Sequence, residues 1–543
     1  MVFREFASDP ANEWLLFLVI VGCLVTCGLY VHDSRSKIPN VFLIPSFPIV
    51  GSLFHLRKNP ALTFMKWSKK YNQMVFQVKL GHKYVVVVNS FADVNTLWNK
   101  HACGTKSRPR MYTFHDVVST TQGFTIGSTP FSASCVRAKK ALAANINHMA
   151  IDSHIKSIID QCSTLMVKKL FMSNRELLGP PSCNIYLGRK CTLADIDMLP
   201  YAQFFTIQSS VLLAFGINLD CYKKDISLAK EIIRVESQIM KLRSHMGNWR
   251  DFIPILRSLS VSRAEEARNR RDYYMDYLRS ILDSNLGQGM LQESIVGKLK
   301  LQHSVNESVL KSISLTLISA GLDNTPLNFN HLMGHLSHKY GAKLQDRAFT
   351  ELLQNSNNDI EQAWEDSAGN MDCHFVLALI HETLRYFTVL PLSLPRATTK
   401  AIDFTTSQKK TLRLPPSTIV FMNAYAANHD ESVFKSPYLF LPERWLNKDG
   451  KINTSLKHFA FGAGSRKCSG NILALQELYT LTCRTILAFK IRRPVGNNLM
   501  ELDPFKNNLD SASISFDPKV FRVQLKPRIH NGSDKLYYKI MRS

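Results

Sequence analysis

The chain has 543 residues, 45% hydrophobic and 20% charged, enough apolar material for a large core and unlike a disordered or fibrous protein. Its eleven cysteines are scattered, odd in number and free of any Cys-x-x-Cys pair, which argues against a disulfide scaffold and a zinc or redox pair. A formal net charge of +24 suits an anionic membrane or an acidic protein partner, and no compact basic cluster with interleaved aromatics points to nucleic acid.

Residues 14–31, WLLFLVIVGCLVTCGLYV, carry no charge and reach the minimum length for a membrane-spanning helix. Asp9 and Glu13 precede the run and Arg35 and Lys37 follow it. The rule that positive residues stay cytoplasmic then puts 1–13 in the lumen and the bulk of the chain in the cytosol. Pro39, Pro45 and Pro48 mark 32–52 as an extended linker, and 53–543 remain as one catalytic domain.

MVFQVKLGHKYVVVVN (74–89) predicts a hairpin turning at Gly81 to Lys83, and VFRVQLKPR (520–528) alternates as a strand does. Between them helical patterns dominate. Val305, Val309, Ile313, Leu317 and Gly321 repeat every four residues and predict one buried helix face. The polar LLQNSNNDIEQ (352–362) reads as a surface loop.

In KHFAFGAGSRKCSGN (457–471), Gly462, Gly464 and Gly470 permit a tight loop around the single thiol of Cys468. Backbone N–H groups turned to the sulfur would temper the charge of a metal-bound thiolate, and Arg466 and Lys467 would favour its deprotonation. The spacing of Phe461, Gly464, Arg466, Cys468 and Gly470 resembles the haem-binding segment of the cytochrome P-450 superfamily. HETLRYF, with Glu382 and Arg385 on one helix face, and LPERWL, with Arg444, resemble the family's buried ion network. Residues 111–135, MYTFHDVVSTTQGFTIGSTPFSASC, resemble the fungal phenylacetate hydroxylase group.

The resemblance implies a mainly α fold with small β-sheets and haem b (iron protoporphyrin IX) held by Cys468 as axial ligand. It implies that Arg396, Arg466 and Arg137 pair with the haem propionates, although the tryptophan usual in the helix of Arg137 is here Phe131. In LISAGLDNTPLN, Gly321 would leave room for oxygen and Asp323 would be the acid of a proton relay. Pro326 has no N–H for the carbonyl of Leu322, which opens the helix there. Asn324 stands where the family most often has a threonine. Thr325, one place on, is rotated by about 100°. Phe114 and Phe124 are the expected aromatic contacts to substrate, and Arg110 or His115 the expected anion contacts.

The function implied is a monooxygenase of the endoplasmic reticulum membrane, single-pass, acting on a small aromatic substrate such as an aryl-acetic acid. Electrons would come from NADPH through the flavins of NADPH-cytochrome P-450 reductase, with cytochrome b5 as a further partner. Arg137, Lys139, Lys140, Arg466 and Lys467 would face the acidic partner. Two alternatives stay open: a haem-thiolate enzyme of rearrangement, dehydration or oxidative coupling, and a non-enzymatic haem sensor or carrier.

Overall fold

The computed structural model describes residue 14 and residues 37–150, 154–178, 194–219, 225–244, 246–259, 261–285, 293–528, 530 and 532–543. The expected anchor over 14–31 lies, apart from Trp14, outside the described residues. Among those that are described, no helix is long and apolar enough to cross a membrane.

Near its start the chain builds a small sheet. Pro60, preset for a first helical turn, opens α1 (Pro60–Tyr71). The valine-rich β1 (Val75–Leu80) and β2 (Lys83–Val88) then pair antiparallel about the turn at Gly81, with Val75 opposite Val88. Residues 37–52, read from the sequence as a linker, pack on the edge of this sheet. Gln77 Nε2 donates to the carbonyls of Ile38 and Val41, and Ile44 N–H donates to Gln77 O. Ile38, Val41 and Ile44 are buried there, because hydrophobic side chains between the prolines gain more against β1 than in water.

The helical body contains α2 (Ala133–Asn145), α3 (Lys156–Leu178), α4 (Leu199–Phe215), α5 (Asp225–Leu242) and α6 (Ser262–Ser284). The short strand β3 (Asp195–Ile196) lies between α3 and α4. There follow α7 (Glu307–Ser319), α8 (Asn324–Ser337), α9 (Gly341–Asn355), α10 (Ile360–Asp366), α11 (His374–Phe387) and, late in the chain, α12 (Asn471–Ala488). The predicted stripe is the buried face of α7: Val309, Ile313 and Leu317 are buried, and Asn306 caps the helix by accepting from Val309 N–H. The polar stretch 352–362 is not a loop throughout. α9 continues to Asn355 and α10 starts at Ile360 under the Asp359 cap, so only the turn between them is irregular.

The strands β4 (Arg396–Ala397), β5 (Ile402–Thr405), β6 (Thr411–Leu414) and β7 (Ile419–Met422) complete the small sheets. The first sheet has the order β1-β2-β7-β4, with β2 and β7 parallel. β8 (Phe489–Arg492) and β9 (Val523–Pro527) pair antiparallel, with β3 on the other side of β9. One apolar core lies among α3, α4, α7, α8, α11 and α12, and another joins α1 to β1, β2 and β7. A third, which includes Val86, Val88, Trp98, Phe459 and Ala463, backs the thiol loop.

Candidate active site

The thiol loop is built by close approach. Beyond the buried Phe459 the chain turns at Gly462 (φ 66°), whose N–H donates to Phe459 O. Gly464 (φ 61°) passes so near Trp98 that a Cβ would lie 1.8 Å from Trp98 O, and its N–H donates to Asn99 Oδ1 at 2.9 Å. Only glycine fits there. Cys468 N–H then donates to Phe461 O at 2.9 Å. Gly470, expected to serve the same turn, does something else: its φ is −92°, it precedes α12, and a Cβ on it would meet nothing within 4 Å.

Cys468 is exposed, yet burial pushes its thiol up, against the Gly470 N–H and the Lys467 charge. Arg466, expected to assist the thiolate, is turned elsewhere. It reaches Cys135 Sγ at 3.4 Å and donates to the carbonyls of Ile126 and Thr129 at 2.8 Å.

Three buried guanidiniums gather near this loop. Arg396, at the start of β4, donates to Thr105 O at 3.0 Å and Ala463 O at 2.7 Å, while its buried Nε has no partner. Burial and the neighbouring Arg466 push its pKa down to about 9. Arg108 donates to the carbonyls of Gly127, Leu394 and Pro395, and burial with Arg396, Arg466 and Arg243 lowers it strongly. None of the three forms an ion pair with a carboxylate among the described residues. Clustered, buried, unneutralised cations are costly alone and fit an anionic group. With the exposed thiol of Cys468 on the neighbouring loop, they suit an iron porphyrin bearing two carboxylates. Arg137 is exposed, and among the described residues its guanidinium reaches Ser134 Oγ at 3.4 Å. Sequence reasoning missed Arg108, because nothing in SRPR distinguishes a buried arginine from a solvated one.

The helix above opens as the proline predicts. α7 ends at Ser319 and α8 begins at Asn324, leaving 320–323 outside regular helix. Asn324 Nδ2 donates to Ala320 O at 3.0 Å. Thr325 is not re-aimed by the opening: its hydroxyl donates to Glu477 Oε2 at 3.1 Å, and Ser209 donates to Oε1 at 3.2 Å. Burial pushes Glu477 up to about 7. Asp323 lines a cavity of about 50 Å³ with Gln203, Lys241 and Asp517. Burial, reinforced by Glu236 and opposed by Arg243, raises it to about 6. Gly321, expected to leave room for oxygen, packs against α4. A Cβ there would lie 3.3 Å from Thr206 Cγ2 and 3.4 Å from Ser210 Oγ, so its smallness serves the contact with α4.

The ion network is present. On α11, Arg385 holds Glu382 through two bonds of 2.9 and 2.8 Å, both side chains fully buried, and Arg444 reaches Glu382 at 3.2 Å. Trp445 Nε1 also donates to Glu382, at 2.9 Å, a partner sequence reasoning missed although it adjoins Arg444. Removing one member of such a buried set costs about 3–5 kcal/mol. None of these residues belongs to the thiol loop.

The expected substrate contacts divide. Arg110 is 67% exposed and paired with Asp116 at 2.7 Å, so it faces solvent. His115 Nδ1 accepts from Met111 N–H and its Nε2 faces Ser128 O at 3.1 Å. Both nitrogens are engaged by backbone, burial lowers its pKa, and the ring lines the same cavity as Phe114. Phe114 does line a cavity, shared with Met111, Leu394 and Pro395, and Phe124 packs edge-on to His115 at 4.9 Å. Arg243, which no motif marks, lines the same cavity.

Comparison with known proteins places this geometry. The family model described as Cytochrome P450 matches residues 43–514. The chain is 36% identical over 525 residues to the phenylacetate 2-hydroxylase of Emericella nidulans, covering 94% of this chain and 95% of that one. It is 33% identical over 535 residues to the 3-hydroxyphenylacetate 6-hydroxylase of the same organism, covering 96% of each. It is 30% identical over 534 residues to a cytochrome P450 monooxygenase of Mycosarcoma maydis, covering 95% of this chain and 91% of that one. These matches bear out the likeness carried by the thiol loop and by residues 111–135, and the chain belongs to the Cytochrome P450 family as a monooxygenase.

Proposed function

We propose that the protein hydroxylates a small aryl-acetic acid, phenylacetate first among them, consuming O2 and NADPH and releasing one water for each hydroxyl inserted. The observation that carries this reading is the end-to-end similarity to two hydroxylases whose names specify phenylacetate and 3-hydroxyphenylacetate. When bound to Cys468, haem iron supplies the activation of O2. The chain's own groups divide the remaining work. Arg396, Arg466 and Arg108 balance the propionates. Asp323, titrating near 6, is able to hold and release a proton close to neutral pH. Asn324 supplies an amide at the opened turn, and Met111, Phe114, Leu394 and Pro395 offer an apolar wall.

In the same reading residues 14–31 anchor the chain in the endoplasmic reticulum membrane, and 53–543 form the cytosolic catalytic domain. Arg137, Lys140 and Lys467 are exposed and suited to an acidic reductase or cytochrome b5. Arg466 is buried and takes no part in such docking. Lys139 is tied to Ser465 O at 2.7 Å.

Purified haem-loaded protein with reductase, NADPH and O2 tests the proposal. Phenylacetate should yield a hydroxylated acid, and Cys468→His should lose both turnover and the red-shifted absorption of the ferrous carbon monoxide complex. An isomerised or coupled product without net oxygen insertion would favour the rearrangement reading instead.

A further inference from the structure

An arginine just beyond α5 lies outside the thiol loop and the ion network, although its charge bears on Arg108 of the guanidinium cluster. Arg243 is held in place by its backbone, whose N–H donates to Ile239 O at 2.9 Å, and its guanidinium lies 4.7 Å from the ring centroid of Phe114. That stacking fixes the plane of the fork. Its polar contacts are weak: Met240 Sδ at 3.6 Å from Nη1 and Thr125 Oγ1 at 3.5 Å from Nη2. It forms no ion pair with a carboxylate among the described residues. Glu236 accepts from Tyr274 and Asp323 lines the separate cavity beside Lys241, although both bear on Arg243 through their charge.

The cavity that Arg243 lines holds about 30 Å³ and is otherwise walled by Pro109, Met111, Phe114, Leu394 and Pro395, with Ser128, Arg108 and the backbone-bound ring of His115 as its polar lining. That space suits a group the size of one or two waters, hence a carboxylate and not an aromatic ring. Arg108 cannot take the group in the same way, because its Nε and Nη1 already donate to three backbone carbonyls. Arg243 is left with a planar donor fork beside an apolar wall, the arrangement that binds a carboxylate through two parallel hydrogen bonds.

We propose that Arg243 is the carboxylate anchor of the substrate pocket, holding an organic acid by its charged end while the remainder extends out of the small cavity. This rests on the arylacetate reading only for the identity of the acid. Four groups of measurements on haem-loaded protein test it: the affinities of phenylacetate, phenylacetamide, laurate and dodecanamide, read by the shift in haem absorption and by calorimetry. They are compared for the parent, Arg243→Met, Arg243→Gln and Arg243→Lys.

The parent should prefer an acid over its amide, and the neutral variants should weaken the acid about 10- to 100-fold while leaving the amide unchanged. Haem content from the carbon monoxide spectrum checks each variant. If the neutral variants lose haem, Arg243→Lys decides, because it keeps the charge without the fork: it should weaken the acid several-fold and the amide not at all. An Arg243-dependent preference seen only for laurate would uphold the anchor and overturn the arylacetate substrate. Turnover of phenylacetate with an acid preference that survives all three substitutions would overturn the anchor and leave the reaction standing. Equal affinity of acid and amide in the parent would overturn the anchor outright.

Discussion

Asn324 illustrates how one side chain changes meaning once its partner is known. In sequence it replaces a hydroxyl; in the fold its amide donates to Ala320 O at the opening between α7 and α8. Thr325 is turned to Glu477, as its rotation around the helix requires. Replacing Asn324 by Ala removes the donor and leaves the Ala320 carbonyl without that bond. Thr at the same place has a hydroxyl able to bond the carbonyl four residues back. The fraction of NADPH electrons recovered in product should therefore fall several-fold in Asn324→Ala, with hydrogen peroxide rising to match, and should fall less in Asn324→Thr. NADPH, peroxide and product measured together check this, and unchanged coupling in Asn324→Ala would remove the residue from proton delivery. Other single residues were legible or not for a similar reason. Cys468 is announced by its neighbours in sequence, whereas only the fold shows that Arg110 pairs with Asp116 at the surface and that His115, on the cavity wall, is engaged by the backbone of Met111 and Ser128.

At the scale of elements, Glu477 binds three helices together: it sits on α12, accepts from Ser209 of α4 and accepts from Thr325 of α8. Its carboxyl is raised from 4.5 to about 7, so between these values the folded chain holds a proton that the unfolded chain has released. Stability from this group is full below pH 4.5 and is lost as pH rises through 7, on the order of 3 kcal/mol at most. Glu477→Gln stays neutral throughout. The parent's stability relative to that variant, taken from urea midpoints, should therefore decline from pH 5 to pH 8. A difference independent of pH would assign the proton elsewhere, with Asp323 the next group to test because its shift has the same sign. Elements themselves were readable from local signals: the hairpin β1–β2 from its valine-rich runs about Gly81, the strand β9 from its alternating apolar residues in sequence, and the buried face of α7 from its four-residue period, although in the fold both faces of β1, β2 and β9 are largely buried. The 352–362 stretch misled because polar residues on the outer face of α9 and a capping Asp359 look, in sequence, like a loop.

For the whole molecule, the described chain from residue 37 packs onto the first sheet, where Gln77 holds the carbonyls of Ile38 and Val41, and these bonds involve no residue before 37. A chain lacking 1–36 should keep its haem spectrum and move largely to the soluble fraction, and fractionation of the two forms measures it. Retention of the shortened protein on membranes to the same extent would assign anchoring to another surface. What the sequence determined by itself were the features made by neighbours along the chain: the thiol loop, the Glu382–Arg385 pair one turn apart, the proline opening and the apolar periods. These depend on backbone angles and fixed spacings that a few residues set alone. Only the tertiary structure decided which cations are gathered and which are left free. Arg108, Arg243, Arg396 and Arg466 come from distant parts of the chain, and each is defined by burial and by its partners, quantities that exist only after long-range packing has placed Phe114, Gly127 and Leu394 around them.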